Sequence, residues 1–170
     1  HGTGRNASEY FAWTLASTAA AGRLGTTAVA AIHFKARAES GVDSLADGEL
    51  YWSSEGWKSG QAALNGPEFS YDAMDALVRA FAARSRFPGI EEIVVAGHSA
   101  GGQYVQRYAA SNTVDPLRQV KIRYVVANPS SYVYPSELRL PLGATCSEKG
   151  TCTAAFAKYF DAANCTTYNQ

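Results

Sequence analysis

The sequence predicts an α/β domain, a parallel sheet with helices on both faces. Three observations carry this. Apolar, β-branched runs alternate with amphipathic helical segments through the middle of the chain. Such alternation makes each helix a crossover between parallel strands, and those crossovers are right-handed. The chain is also long enough for one core: 170 residues, 46% apolar and 18% charged, which is a globular composition.

The elements follow in order. Residues 6–21 are Ala-rich and suit a helix, with Asn6 or Ser8 as its N-cap. Residues 26–34, TTAVAAIHF, are β-branched and apolar and read as a buried strand. Residues 36–66 carry five glycines among many Ser and Asp residues, so they form a long loop with room for a short helix. Residues 70–86 place Met74, Leu77, Val78, Phe81 and Ala82 at the spacing of one helical face. Ser70 is the expected cap of that helix, and Pro88-Gly89 stops it. Residues 91–96 form a strand, 100–111 a helix and 120–127, VKIRYVVA, another strand, ended by Asn128-Pro129. Residues 154–163 suit a last short helix.

Composition excludes several function classes. Fifteen basic side chains balance fifteen acidic ones with no Lys/Arg block, so nucleic acid has no electrostatic footprint to follow. No apolar run approaches the roughly 18 residues of a membrane span. No CxxC pair, HxxxH pair or Asp-rich calcium loop marks a metal site, and no dinucleotide or P-loop glycine pattern marks a cofactor. The three cysteines are Cys146, Cys152 and Cys165. Cys146 and Cys152 bracket a short polar loop that a small disulfide could close. The odd third thiol fits both a truncated chain and a secreted or periplasmic setting.

The chemistry-bearing stretch is IVVAGHSAGG, residues 93–102. Gly97-His98-Ser99-Ala100-Gly101 matches GxSxG, which is a weak signal alone and a strong one where a strand ends and a helix begins. Glycine two residues before and after Ser99 lets the two backbones approach closely. The turn then strains the serine and lifts its hydroxyl above the strand ends. The helix start leaves N–H groups free, Ala100 N–H first, where an oxyanion could bind.

With this motif in that context the chain resembles an α/β-hydrolase. His1-Gly2-Thr3-Gly4 resembles the HG oxyanion segment that follows the third strand in that family. The stretches YWSSEGW, residues 51–57, and NPSSY, residues 128–132, look like those of a poorly characterised esterase-like subgroup. The resemblance implies Ser99 as the nucleophile and the Thr3 and Ala100 N–H groups as oxyanion donors. Trp52 and Trp57, on a glycine-rich loop after a strand end, either line the pocket or staple the loop to the core, and Tyr132 at the strand-end edge is a further expected substrate contact. The resemblance implies a small acyl substrate, with an ester as the default. It also implies that residues 1–170 are the central portion of a larger domain. Strands one to three would precede His1, and the acid and histidine of the triad would follow Gln170. Such a stretch alone is expected to be poorly stable and inactive, because its core strands lack partners.

The local alternatives for a base are His1, His33 and His98. His98 adjoins the nucleophile, His33 lies near a strand end, and His1 suits a role in shaping the oxyanion segment. Nothing in the sequence marks Asp43, Asp47, Asp115 or Asp161 as the triad acid. A non-catalytic hydrolase-like binding protein, and a small-molecule-binding α/β domain of another kind, remain open beside the hydrolase.

Overall fold

The computed structural model describes residues 1–36, 45–114, 120–134, 138–139, 145, 147, 153 and 157–158. It divides into two compact units, residues 1–130 and 131–170. The larger unit is mixed α/β with small parallel sheets. Helix α1 spans Ala7–Ala20, and Asn6 caps it by accepting the Glu9 N–H at 3.0 Å. Strand β1, Lys35–Ala36, pairs in parallel with β2, Tyr51–Trp52. Helix α2 covers Ser70–Ala82. Strand β3, Glu92–His98, runs parallel to β4, Lys121–Ala127, in register over their whole lengths from Glu92 opposite Lys121 to His98 opposite Ala127. Helix α3, Ala100–Ser111, is the crossover between them and packs on both.

Four expectations are corrected. Residues 26–34 do not form a strand: a 3-10 turn covers Leu24–Thr26, and pairing starts only at Lys35. The apolar alanines there find no ladder partner among the described residues, and without one an apolar run is not a strand. Ser70 does not cap α2, whose N-cap is Phe69 with no side-chain bond. The Ser70 hydroxyl is buried and donates to Trp57 O at 2.8 Å, so it fastens the long loop instead. Helix α2 also ends at Ala82, four residues early. There Ala83 turns extended, and its carbonyl accepts the N–H groups of Arg86 and Phe87. The predicted final helix is replaced in part by β6, Ala157–Lys158, paired antiparallel with β5, Leu138–Arg139, in the smaller unit. The rest of that segment lies outside the described residues, as do the three cysteines. Thr145 and Thr153, which flank Cys146 and Cys152, are bonded twice: the Thr153 N–H donates to Thr145 O at 2.8 Å and the Thr145 N–H to Thr153 Oγ1 at 2.9 Å.

The expected sheet with two covered faces is also not what the described residues form. They make separate two-stranded sheets. Along β3, Val95 is buried while Val94 is 52% exposed. On β4, Val125 and Val126 are exposed as well. The side carrying Val95 meets the core, and the other is open among the described residues. No helix is long and apolar enough to cross a membrane among them.

The core is aromatic. Phe34 stacks on Trp57, Tyr104 stacks on Tyr108, and Tyr71 meets both tyrosines edge-on or tilted. These polar-tipped rings are buried only with their hydroxyls satisfied. Tyr104 Oη donates to Ser70 O at 2.9 Å, and Tyr108 Oη donates to Asp75 Oδ1 at 2.6 Å. Asp75 is itself only 7% exposed, and its other oxygen accepts from the Thr113 N–H and hydroxyl. One carboxylate therefore ties the middle of α2 to the far end of α3. Arg79 adds a second tie through Thr113 O.

Burial sets the alkaline limit of this core. It pushes the Tyr71 phenol up to about 12 from 10.0. Tyr104 is also raised, by burial first, and Tyr108 by burial and then by its bond to Asp75. Below pH 10 all three are neutral folded or unfolded, and their contribution is complete. As pH climbs from 10 through 12 the unfolded chain releases these protons first, so stability falls. The urea midpoint should be level below pH 10 and decline above it, with a shallower decline in Tyr71→Phe. A midpoint that holds level through pH 12 would contradict the packing described.

Candidate active site

Ser99 sits between the last residue of β3 and the first of α3, at φ 58°, ψ −120°. A left-handed φ is costly for a residue with a β-carbon, roughly 1–3 kcal/mol, and persists only where the surroundings fix it. They do so here. The Ser99 N–H donates to Ala127 O at 3.0 Å, and its carbonyl accepts from Gln103 N–H at 2.9 Å and Ser130 N–H at 3.3 Å. Strand β4, helix α3 and the turn after β4 thus hold the peptides on both sides of the one residue.

Glycines make the crowding possible. A β-carbon on Gly97 would lie 2.1 Å from Gly101 O, and one on Gly102 would lie 2.5 Å from Ala127 O. Both clashes are with backbone, which cannot swing away. A β-carbon on Gly101 would stand 3.0 Å from His1 O and 3.1 Å from His1 N. The N-terminal segment thus crosses directly over the start of α3. Next to it, a methyl on Gly2 would stand 3.6 Å from Ser99 Cβ and 3.9 Å from Ser99 Oγ. The HG segment and the GxSxG turn, far apart in sequence, meet at the serine.

The predicted oxyanion donors fall at this junction. Ala100 is fully buried at the first position of α3, where no carbonyl one turn back can accept its N–H. Thr3 follows Gly2 in a turn closed by Arg5 N–H to Gly2 O at 3.2 Å, with Gly4 at φ 69°. Glycine at that third position is what a type II turn requires. No hydrogen bond engages the Thr3 N–H or the Ala100 N–H among the described residues.

Trp52 and Trp57 are core residues. Trp57 is 2% exposed between Phe34 and the His1 ring, and the Trp52 indole N–H donates to Gln61 O at 3.1 Å. They fasten the long loop to the core, and Trp57 backs the N-terminal segment through His1. Tyr132 belongs to the smaller unit, where its exposed ring stands 6.5 Å from that of Tyr134.

None of the three histidines hydrogen-bonds to Ser99 Oγ among the described residues. His98 Nδ1 is 3.3 Å from Tyr10 Oη, while the His1 ring meets His33 at 5.3 Å and Trp57 at 5.0 Å. No hydrogen bond reaches Ser99 Oγ among the described residues. Those residues also hold no metal-binding cluster. Sequence reasoning missed Tyr10. A tyrosine on an Ala-rich helix carries no signal that it reaches a residue 88 positions away.

No family model, curated protein or solved structure matches the chain. The geometry of the serine turn is therefore what a functional reading rests on.

The strain at Ser99 has a direct consequence. Ser99→Gly relieves it and Ser99→Ala does not, although both remove the hydroxyl. Ser99→Gly should be more stable than Ser99→Ala by about 0.5–1 kcal/mol in chemical denaturation. Equal stabilities, or a more stable alanine variant, would contradict the left-handed turn.

Proposed function

We propose that this chain carries the nucleophile and the oxyanion segment of an α/β-hydrolase-like serine hydrolase acting on a carboxylic ester. The observation that supports it most is the strained Ser99 turn with Gly2 of the HG segment laid against its side chain. A phosphate loop or a plain capping serine needs neither the left-handed φ nor the second segment.

In this reading Ser99 Oγ attacks the acyl carbon of the substrate. The Thr3 and Ala100 N–H groups receive the negative charge that develops on the carbonyl oxygen, aided by the α3 dipole. Collapse of the tetrahedral intermediate expels the alcohol and leaves an acyl-Ser99, which water then cleaves. A serine hydroxyl needs a base within hydrogen-bond reach, and none of the described histidines is bonded to Ser99 Oγ. The base and its acid are therefore not assigned to named residues. The ester is the default acyl group on this fold by analogy.

The unengaged Ser99 hydroxyl also favours a second reading, a hydrolase-like binding protein that keeps the turn but performs no acyl transfer. Fluorophosphonate labelling with mass spectrometry separates the two. The protein should carry one adduct on Ser99, absent in Ser99→Ala. A folded natural protein that resists labelling would sink the hydrolase and leave the binding reading.

A further inference from the structure

Helix α1 leads directly out of the HG segment, yet it buries no residue. Phe11, Trp13 and Leu15 are all exposed. Its other hydrogen bonds and its ion pair are local: Asn6 to the Glu9 N–H, Thr18 to Thr14 O, and Arg5 to Glu9. Among the described residues, one side-chain hydrogen bond reaches from α1 to a distant part of the chain, that between Tyr10 Oη and His98 Nδ1 at 3.3 Å. His98 is the last residue of β3 and immediately precedes Ser99. The same hydroxyl would be 3.0 Å from a methyl group on Gly2, which would also stand 3.6 Å from Ser99 Cβ and 3.9 Å from Ser99 Oγ.

We propose that Tyr10 is a positioning residue for the Ser99 centre: its hydroxyl, bonded to His98 and seated against Gly2, sets where the oxyanion segment stands relative to the nucleophile. The inference rests on the serine-hydrolase reading above. The segment has two ends to fix. Its first residue is fixed by the His1 backbone on Gly101. Its far end runs into α1, which has no core anchor, so the Tyr10–His98 bond fixes that end. The donor at stake is the Thr3 N–H, one residue past Gly2. It meets the carbonyl oxygen most strongly once charge has developed there, so a small displacement weakens the transition state more than the bound substrate. The tautomer of His98 decides which partner donates, but the tie exists either way.

The test is steady-state hydrolysis of p-nitrophenyl acetate by the natural protein, with melting temperatures beside it. Tyr10→Phe keeps the ring and its contact with Trp13 and loses only the hydroxyl. It should lower kcat by about 5- to 30-fold, the worth of one or two kcal/mol, with KM nearly unchanged. His98→Ala should lower kcat to a similar degree. The double variant should be no worse than either single one, because both remove the same bond. His98→Asn, whose amide stands near the position of Nδ1, should recover most of the loss. Wild-type kcat in Tyr10→Phe, or losses that multiply in the double variant, would overturn the inference while leaving the hydrolase intact. So would a loss that appears in KM or in melting temperature alone. A wild-type protein that neither hydrolyses the ester nor labels at Ser99 would overturn both.

Discussion

Three backbone segments converge on the first turn of α3 more closely than side chains permit. Gly97 approaches Gly101, His1 crosses Gly101, and Ala127 and Pro129 press on Gly102. Each contact needs a missing β-carbon on at least one side. Together they leave the peptide of Ser99 no freedom, and its positive φ follows. The Ser99 side chain lies beside one of these segments, at Gly2, whose added β-carbon would stand 3.6 Å from Ser99 Cβ. Strand register, helix start and side-chain exposure are thus consequences of a few atoms that are not there.

Helix α3 holds still under this crowding because its other end is fastened separately. The buried Asp75 carboxylate binds Tyr108 and Thr113, and Tyr104 reaches the backbone of Ser70. A carboxylate out of water is costly unless every lone pair finds a donor. The donors here are neutral phenol, hydroxyl and amide groups. The network specifies one arrangement of α2 against α3, which a purely apolar contact would leave free to slide. Ser70 joins the same network to the Trp57 loop, and Trp57 backs His1. The core and the serine turn are therefore mechanically continuous.

Much of this was legible in the residues. Helix α3 has the bounds the sequence predicts, Ala100 to Ser111, with GHSAGG marking its start. Strands β3 and β4 were read within two residues of their ends from their apolar runs. The sequence offers Asn6 or Ser8 as the cap of α1, a local effect, and Asn6 fills it. Illegible features were those decided at a distance. TTAVAAIHF has strand composition, but pairing needs a partner, and pairing begins only at Lys35. Ser70 looks like a cap because caps are what serine does locally; the Trp57 carbonyl outcompeted that role. Trp52 and Trp57 on a glycine-rich loop looked like pocket walls, yet their large apolar area went to the core. The strand-to-helix turn at Ser99 is visible in GHSAGG, whereas the Tyr10–His98 bond across 88 residues carries no sequence signal.

The central claim is that the HG segment and the start of α3 form one oxyanion site around Ser99. The most direct measurement is a crystal structure of the natural protein after reaction with a fluorophosphonate. The adduct should be bonded to Ser99 Oγ, with its phosphoryl oxygen about 3 Å from both the Thr3 and the Ala100 nitrogen atoms. A phosphoryl oxygen turned to solvent, or an adduct on another residue, would contradict it.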